Sequence, residues 1–189
     1  MSDPKIVIGL VTLVIGTVSY SLYFKDLFAA RTKPDGFSWF IWGVLAGITF
    51  FAQMGAGGGA GAWATAFTSV VCFLIASFAF AHGGRAIRPV DWISLGGALA
   101  AVIVWVFTND PLLAVILVIA VGAFGFIPTF FKAFAKPKEE TAATFALNAI
   151  KFAVALFALG SLNPVTWLYP AALTAMNASL ATMLFVRRA

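Results

Sequence analysis

Seven long apolar runs, at approximately 5–29, 36–54, 61–81, 90–107, 111–133, 141–159 and 164–186, are separated by short stretches of Gly, Pro and charge. A membrane-spanning helix needs about 20 predominantly apolar residues, so seven spans take up roughly 140 residues. The chain has 189, of which 62% are hydrophobic and only 10% charged. Soluble domains carry roughly 25% charged residues, and this chain has too little polar side chain to cover a water-soluble globule. The expectation is an all-α, polytopic membrane protein with seven transmembrane helices in a single membrane domain. Helices are favoured over a barrel because the runs are continuously apolar, and in lipid a span must satisfy its own backbone hydrogen bonds. Asp110-Pro111 and Asn163-Pro164 read as N-cap plus first-turn proline, and Thr141 as the cap of the sixth helix.

Charge orients the runs. Lys25, Arg31 and Lys33 follow the first, Arg85 and Arg88 the third, Lys132, Lys136 and Lys138 the fifth, and Arg187 and Arg188 the seventh. The opposite ends hold only Lys5. Basic residues concentrate on cytoplasmic loops, so the expected topology places the N-terminus outside and the C-terminus in the cytoplasm, in a plasma or bacterial inner membrane. The same placement excludes nucleic acid as a partner, since the basic residues sit at helix ends rather than in an aromatic-interleaved patch. Cys72, the single cysteine, lies in an apolar run and forms no intrachain disulfide.

Two stretches repeat. Ile15-Gly16, Tyr23-Phe24-Lys25 and Ser38-Trp39-Phe40-Ile41-Trp42-Gly43 are echoed by Val121-Gly122, Phe130-Phe131-Lys132 and Thr144-Phe145-Ala146-Leu147-Asn148-Ala149. Shifting the third run onto the seventh pairs Ser69 with Thr174, Cys72 with Asn177 and Ser77 with Thr182. The chain therefore reads as a three-helix bundle (5–81), a linker helix (90–107) and a second three-helix bundle (111–186). The odd linker makes the two bundles parallel rather than inverted.

With these features the chain resembles the SWEET and PQ-loop superfamily, whose members join two parallel three-helix bundles through a linker helix. The segment Thr32-Lys33-Pro34-Asp35-Gly36-Phe37-Ser38-Trp39-Phe40-Ile41-Trp42 also resembles one found in uncharacterised small bacterial membrane proteins. The resemblance implies transport of a sugar, amino acid or similar metabolite, with substrate held at midplane by the second and third helices of each bundle. Carried over by position, it points to Trp42 with Asn148 and to Cys72 with Asn177. The chain departs from the superfamily where a Pro-Gln pair is usual: the first half has Ser21-Leu22 and the second Pro128-Thr129. Neither second helix contains a hinge proline.

Lys151 stands apart from the resemblance. Ten residues past Thr141, it lies about 15 Å along its helix, where a charge costs at least about 2.5 kcal/mol and suggests function. Asp26, Asp35, Asp91, Asp110, Glu139 and Glu140 all fall at ends or loops, so the lysine has no evident acidic partner. It snorkels or sits uncharged, bonds carbonyls or Asn as structural glue, or meets an anionic substrate. The binding set is then Trp42, Cys72, Asn148, Lys151 and Asn177.

No catalytic constellation, cofactor motif or metal-ligand spacing is visible, so no enzyme is expected; His82 reads as a loop histidine. Gln53 reads as a loop contact or a gate group, Trp39 and Trp63 as interfacial belt residues, and Gly55–Gly61 as a flexible outer loop. Two function classes follow. The first is a transporter or facilitator of a small polar metabolite; the second is a receptor or accessory subunit using the same cleft for a ligand or partner. Expected partners are the lipid bilayer and a small-molecule substrate, and a homo-oligomer is compatible with either class.

Overall fold

The computed structural model describes residues 3–82 and 89–188. Arg85 and Arg88, counted in the charge asymmetry, lie outside the described residues, as does the side chain of Pro128. The described residues form seven α-helices and no strand: α1 (Pro4–Phe28), α2 (Gly36–Gly55), α3 (Trp63–Ala81), α4 (Pro89–Thr108), α5 (Pro111–Ala135), α6 (Ala142–Phe157) and α7 (Pro164–Arg188). Four of these, α1, α2, α5 and α7, and the segment Gly59–Ala81 that contains α3, are long and apolar enough to cross a membrane. The chain thus has the character of a multi-pass helical membrane protein.

Small and polar residues turn inward where the helices meet. In α1 the buried positions are Gly9, Thr12, Gly16, Ser19, Tyr20, Tyr23 and Leu27, a stripe at helical spacing. Val7, Leu10, Val11, Val14 and Val18 point outward. This reverses the soluble pattern because lipid is as apolar as valine, so close approach and interhelical hydrogen bonds must hold the bundle. Ser19 and Thr144 show both effects: the Ser19 hydroxyl donates to the Thr144 carbonyl at 3.1 Å and the Thr144 hydroxyl donates to the Ser19 carbonyl at 3.0 Å, tying α1 to α6. Ser69 Oγ likewise donates to the Gly43 carbonyl at 2.8 Å, joining α3 to α2.

The principal packing pairs are α2 on α3, α6 on α7, α1 against α6, α4 on α5, α5 on α7 and α2 against α5. At one end of the bundle the α1–α2 and α5–α6 loops meet through charge. Lys33 pairs with Glu139 at 3.3 Å, and Lys132 Nζ bridges Glu140 at 2.7 Å and the Lys33 carbonyl at 2.6 Å. Arg188 donates to the carbonyls of Pro137 and Glu140. Thr141 occupies the N-cap position of α6, but its side chain caps nothing. It donates to Asp26 Oδ2 at 2.9 Å and pairs with the Thr32 hydroxyl at 2.7 Å. By contrast, Asp110 and Asn163 cap as expected, each accepting from two backbone N–H groups of the next helix.

At the opposite end the glycine-rich loop is an ordered clasp rather than a flexible loop. Gly61 donates to Ala158, Gly160 to Gly58 and Ser161 to Gly57, all through backbone at 2.9–3.0 Å. Glycine is required here: Gly57 and Gly59 have positive φ, and a Cβ at Gly61 would sit 2.6 Å from Leu159. The turn that follows α6 docks on this clasp, which is why α6 ends at Phe157 instead of near 159. At 16 residues it is about 24 Å long, shorter than the roughly 30 Å hydrocarbon core.

Two consequences are measurable. Gly61→Ala should lower stability by about 1–3 kcal/mol through overpacking, whereas Gly96→Ala, whose Cβ meets nothing within 4 Å, should leave it unchanged or raise it by up to about 1 kcal/mol; thermal denaturation in detergent compares them. At the charged end, burial holds the Glu140 carboxyl above its usual range despite Lys132. A raised folded value makes its contribution complete below the unfolded pKa of about 4.3 and lost as pH rises through the folded one. Glu140→Gln should flatten that fall in a stability–pH series.

Candidate functional site

A cavity of ≈ 60 Å³ lies at the centre of the bundle. One buried water needs about 10–15 Å³ on this measure, so the space holds a few waters or a small metabolite. Among the described residues, six helices contribute to its wall. Tyr20 comes from α1, Trp39, Trp42 and Leu45 from α2, and Thr68 and Cys72 from α3. Gly122 and Phe126 come from α5, Phe145, Asn148 and Phe152 from α6, and Tyr169 and Asn177 from α7. Four of the five residues singled out in the sequence, Trp42, Cys72, Asn148 and Asn177, line it together.

Aromatic rings make most of the wall. Trp42 stands edge-on to Trp39 with centroids 5.3 Å apart and tilts against Phe126 at 5.9 Å. Phe152 and Tyr169 are perpendicular at 6.2 Å. Such contacts fix the rings at low entropic cost and leave faces and edges available to a flat or CH-rich ligand. Trp39, expected in an interfacial belt, is instead 6% exposed and faces this cavity. Its inward position was invisible in sequence because a tryptophan one turn inside a span suits both places.

The polar groups are few. Asn177 Nδ2 donates to the Leu173 carbonyl of its own helix at 2.8 Å. Asn148 is 5% exposed, and its Oδ1 has no hydrogen-bond partner. A buried acceptor without a donor costs about 1–3 kcal/mol, and Tyr23 Oη, Gln53 Oε1 and Thr65 Oγ1 are in the same position. Tyr20 lies beside both Thr68 and Asn148.

Lys151 sits one turn beyond Asn148, fully buried behind the wall rather than on it. Its chain passes Gly16, where an added Cβ would lie 3.2 Å from Lys151 Cδ. Its Nζ donates to Thr68 Oγ1 at 2.7 Å and rests 4.9 Å from the Tyr20 ring centroid and 4.5 Å from that of Phe152. Thr68 spends its own proton on the Ala64 carbonyl at 2.8 Å, so its lone pair is free for the lysine. Among the described residues Lys151 makes no ion pair. Three of the residues around its Nζ, Thr68, Tyr20 and Phe152, are cavity residues, so the lysine is separated from the cavity by a single layer of side chains.

Gln53 has a different task from either expected one. Pro170, inside α7, lacks an N–H and so leaves the Thr166 carbonyl without its helical donor. Gln53 Nε2, from α2, donates to that carbonyl at 2.8 Å and is completely buried. Sequence reading missed this pairing because Pro170 and Gln53 are far apart in the chain. His82 is exposed, stacked on Phe78 at 4.0 Å and bonded through Nδ1 to the Phe78 carbonyl, as a helix-end histidine.

No family model, curated protein or solved structure matches this chain.

The lysine permits a test of sign. Replacing a buried amine that has no ion pair among the described residues by an apolar side chain of similar length removes its desolvation cost, so Lys151→Met should raise thermal stability by about 1–4 kcal/mol. A lysine acting as structural glue would give the opposite sign in the same melting experiment.

Proposed function

We propose that the chain is a membrane transporter or facilitator of a small polar metabolite, with the central cavity as its substrate site. The observation that carries this reading is the composition of the cavity wall. Residues matched by the internal repeat face the cavity in pairs: Trp39 with Phe145, Trp42 with Asn148, and Cys72 with Asn177. Tyr20 with Phe126 continues the same register.

The arrangement of two parallel three-helix bundles, α1–α3 and α5–α7, joined by α4 belongs to this proposal. Helix packing supports it by its own near-symmetry. α2 packs on α3 as α6 packs on α7, α1 on α3 as α5 on α7, and α1 against α6 as α5 against α2. Gly16 faces Lys151, and Gly122 faces Leu45 in the matching place. A cavity on the axis between two such halves can be opened toward either side by rocking one against the other. Each end already carries contacts that would alternate: ion pairs at one and backbone bonds between the glycine clasp and the α6–α7 turn at the other. On this reading the charged end is cytoplasmic, with the N-terminus outside, in a bacterial inner or other plasma membrane.

A thermal-shift screen of purified protein against sugars, amino acids and organic acids, followed by counterflow in liposomes, tests the proposal. At least one class should stabilise the protein and exchange across the bilayer. Trp42→Ala and Asn148→Ala should each weaken that ligand by about tenfold or more, the loss of one aromatic contact or one buried hydrogen bond. Binding without exchange would move the protein to the receptor class, and no stabilisation by any class would remove the site.

A further inference from the structure

The cavity holds two unmet demands of different kind. Asn148 lines the cavity, and its Oδ1 is buried and lacks a donor. Lys151 is buried directly behind the same wall without a carboxylate. The side chains around the lysine come from three helices: Tyr20 of α1, Thr68 of α3 and Phe152 of α6. Cys72 of α3 lies within electrostatic reach of the lysine. None is an acid, and the seven acids of the chain stand at helix ends or in loops.

A ligand has to be compatible with the positive charge that the lysine carries when protonated. Aromatic walls alone would suit an organic cation, but the faces of Tyr20 and Phe152 are already used by Lys151, and a second cation would meet uncompensated like charge. A neutral polyol would satisfy Asn148 and leave the ammonium as it is. A molecule with one negative charge and one hydroxyl answers both groups.

We infer that the ligand of this cavity is a small hydroxy-carboxylate, whose carboxylate lies toward Thr68 and Lys151 and whose hydroxyl donates to Asn148 Oδ1. The inference rests on the proposed reading of the cavity as a substrate site and narrows it to organic anions. Lys151 acts here as a recognition group through charge, at one side chain's remove from the ligand. Thr68 holds the amine against the back of the wall, since its Oγ1 accepts from Nζ at 2.7 Å while its own proton stays on the Ala64 carbonyl.

Matched probes separate the two demands in calorimetry on the full chain in detergent. Glycolate and lactate test charge against glycolamide and lactamide, and test the hydroxyl against acetate and propionate. The wild type should prefer each hydroxy acid to its amide by about tenfold or more. Lys151→Met should lose that preference while still binding the amide, and Cys72→Ala should keep it. Asn148→Ala should abolish the advantage of lactate over propionate. Equal affinity for acid and amide in the wild type overturns the inference without need of any variant, and so does an acid preference that survives in Lys151→Met. If amides or neutral polyols bind and Trp42→Ala removes them, the transport reading stands while the anion assignment falls. If no acid, amide or polyol binds or exchanges across liposomes, both fall.

Discussion

Lipid supplies no hydrophobic force between helices, and that constraint organises everything else in this protein. Association has to come from close approach and from hydrogen bonds that have no competing water. The small stripe of α1, the reciprocal Ser19–Thr144 bonds and the Ser69–Gly43 bond are the local answers. The same constraint explains Gln53. A proline inside a spanning helix is tolerated where a neighbour re-satisfies the freed carbonyl, and α2 provides that neighbour.

The helices were legible because they depend on composition and on local chemistry. Apolar runs, Asp110 before Pro111 and Asn163 before Pro164 carry their own structural meaning, and the helices begin at those prolines. What could not be read depends on partners distant in sequence. Thr141 had the right type for a cap but found Asp26 and Thr32. The glycines at 55–61 suggested mobility, whereas their lack of side chains lets the α6–α7 turn approach within backbone hydrogen-bonding distance. α6 is shortened by that approach.

Positional pairing singled out Trp42, Cys72, Asn148 and Asn177, which line the cavity, while depth along the helix singled out Lys151, which does not. Depth alone could not say whether Lys151 would reach the cavity or lie behind its wall. That was decided by Thr68 and Tyr20, which carry no charge or motif to announce them. Their visible signal was register: Tyr20 continues the repeat toward Phe126, and Thr68 lies one turn before Cys72 on the same helix.

Under the proposed duplication, the two halves make the same frame but fill it differently. The first half presents Trp39, Trp42 and Leu45 where the second has Phe145, Asn148 and Lys151, and Cys72 stands where the second has Asn177. The two amides that line the cavity, Asn148 and Asn177, thus belong to one half, and the other presents Tyr20, Trp39, Trp42 and Thr68 to the same space. A symmetric pair of identical walls would hold a ligand equally well in two orientations. If the cavity is a substrate site as proposed, placing both amides in one half removes that degeneracy, since a ligand turned end for end would leave Asn148 Oδ1 without a donor, at a cost of about 1–3 kcal/mol. Orientation would then be specified by where the halves differ, with the common frame supplying the space.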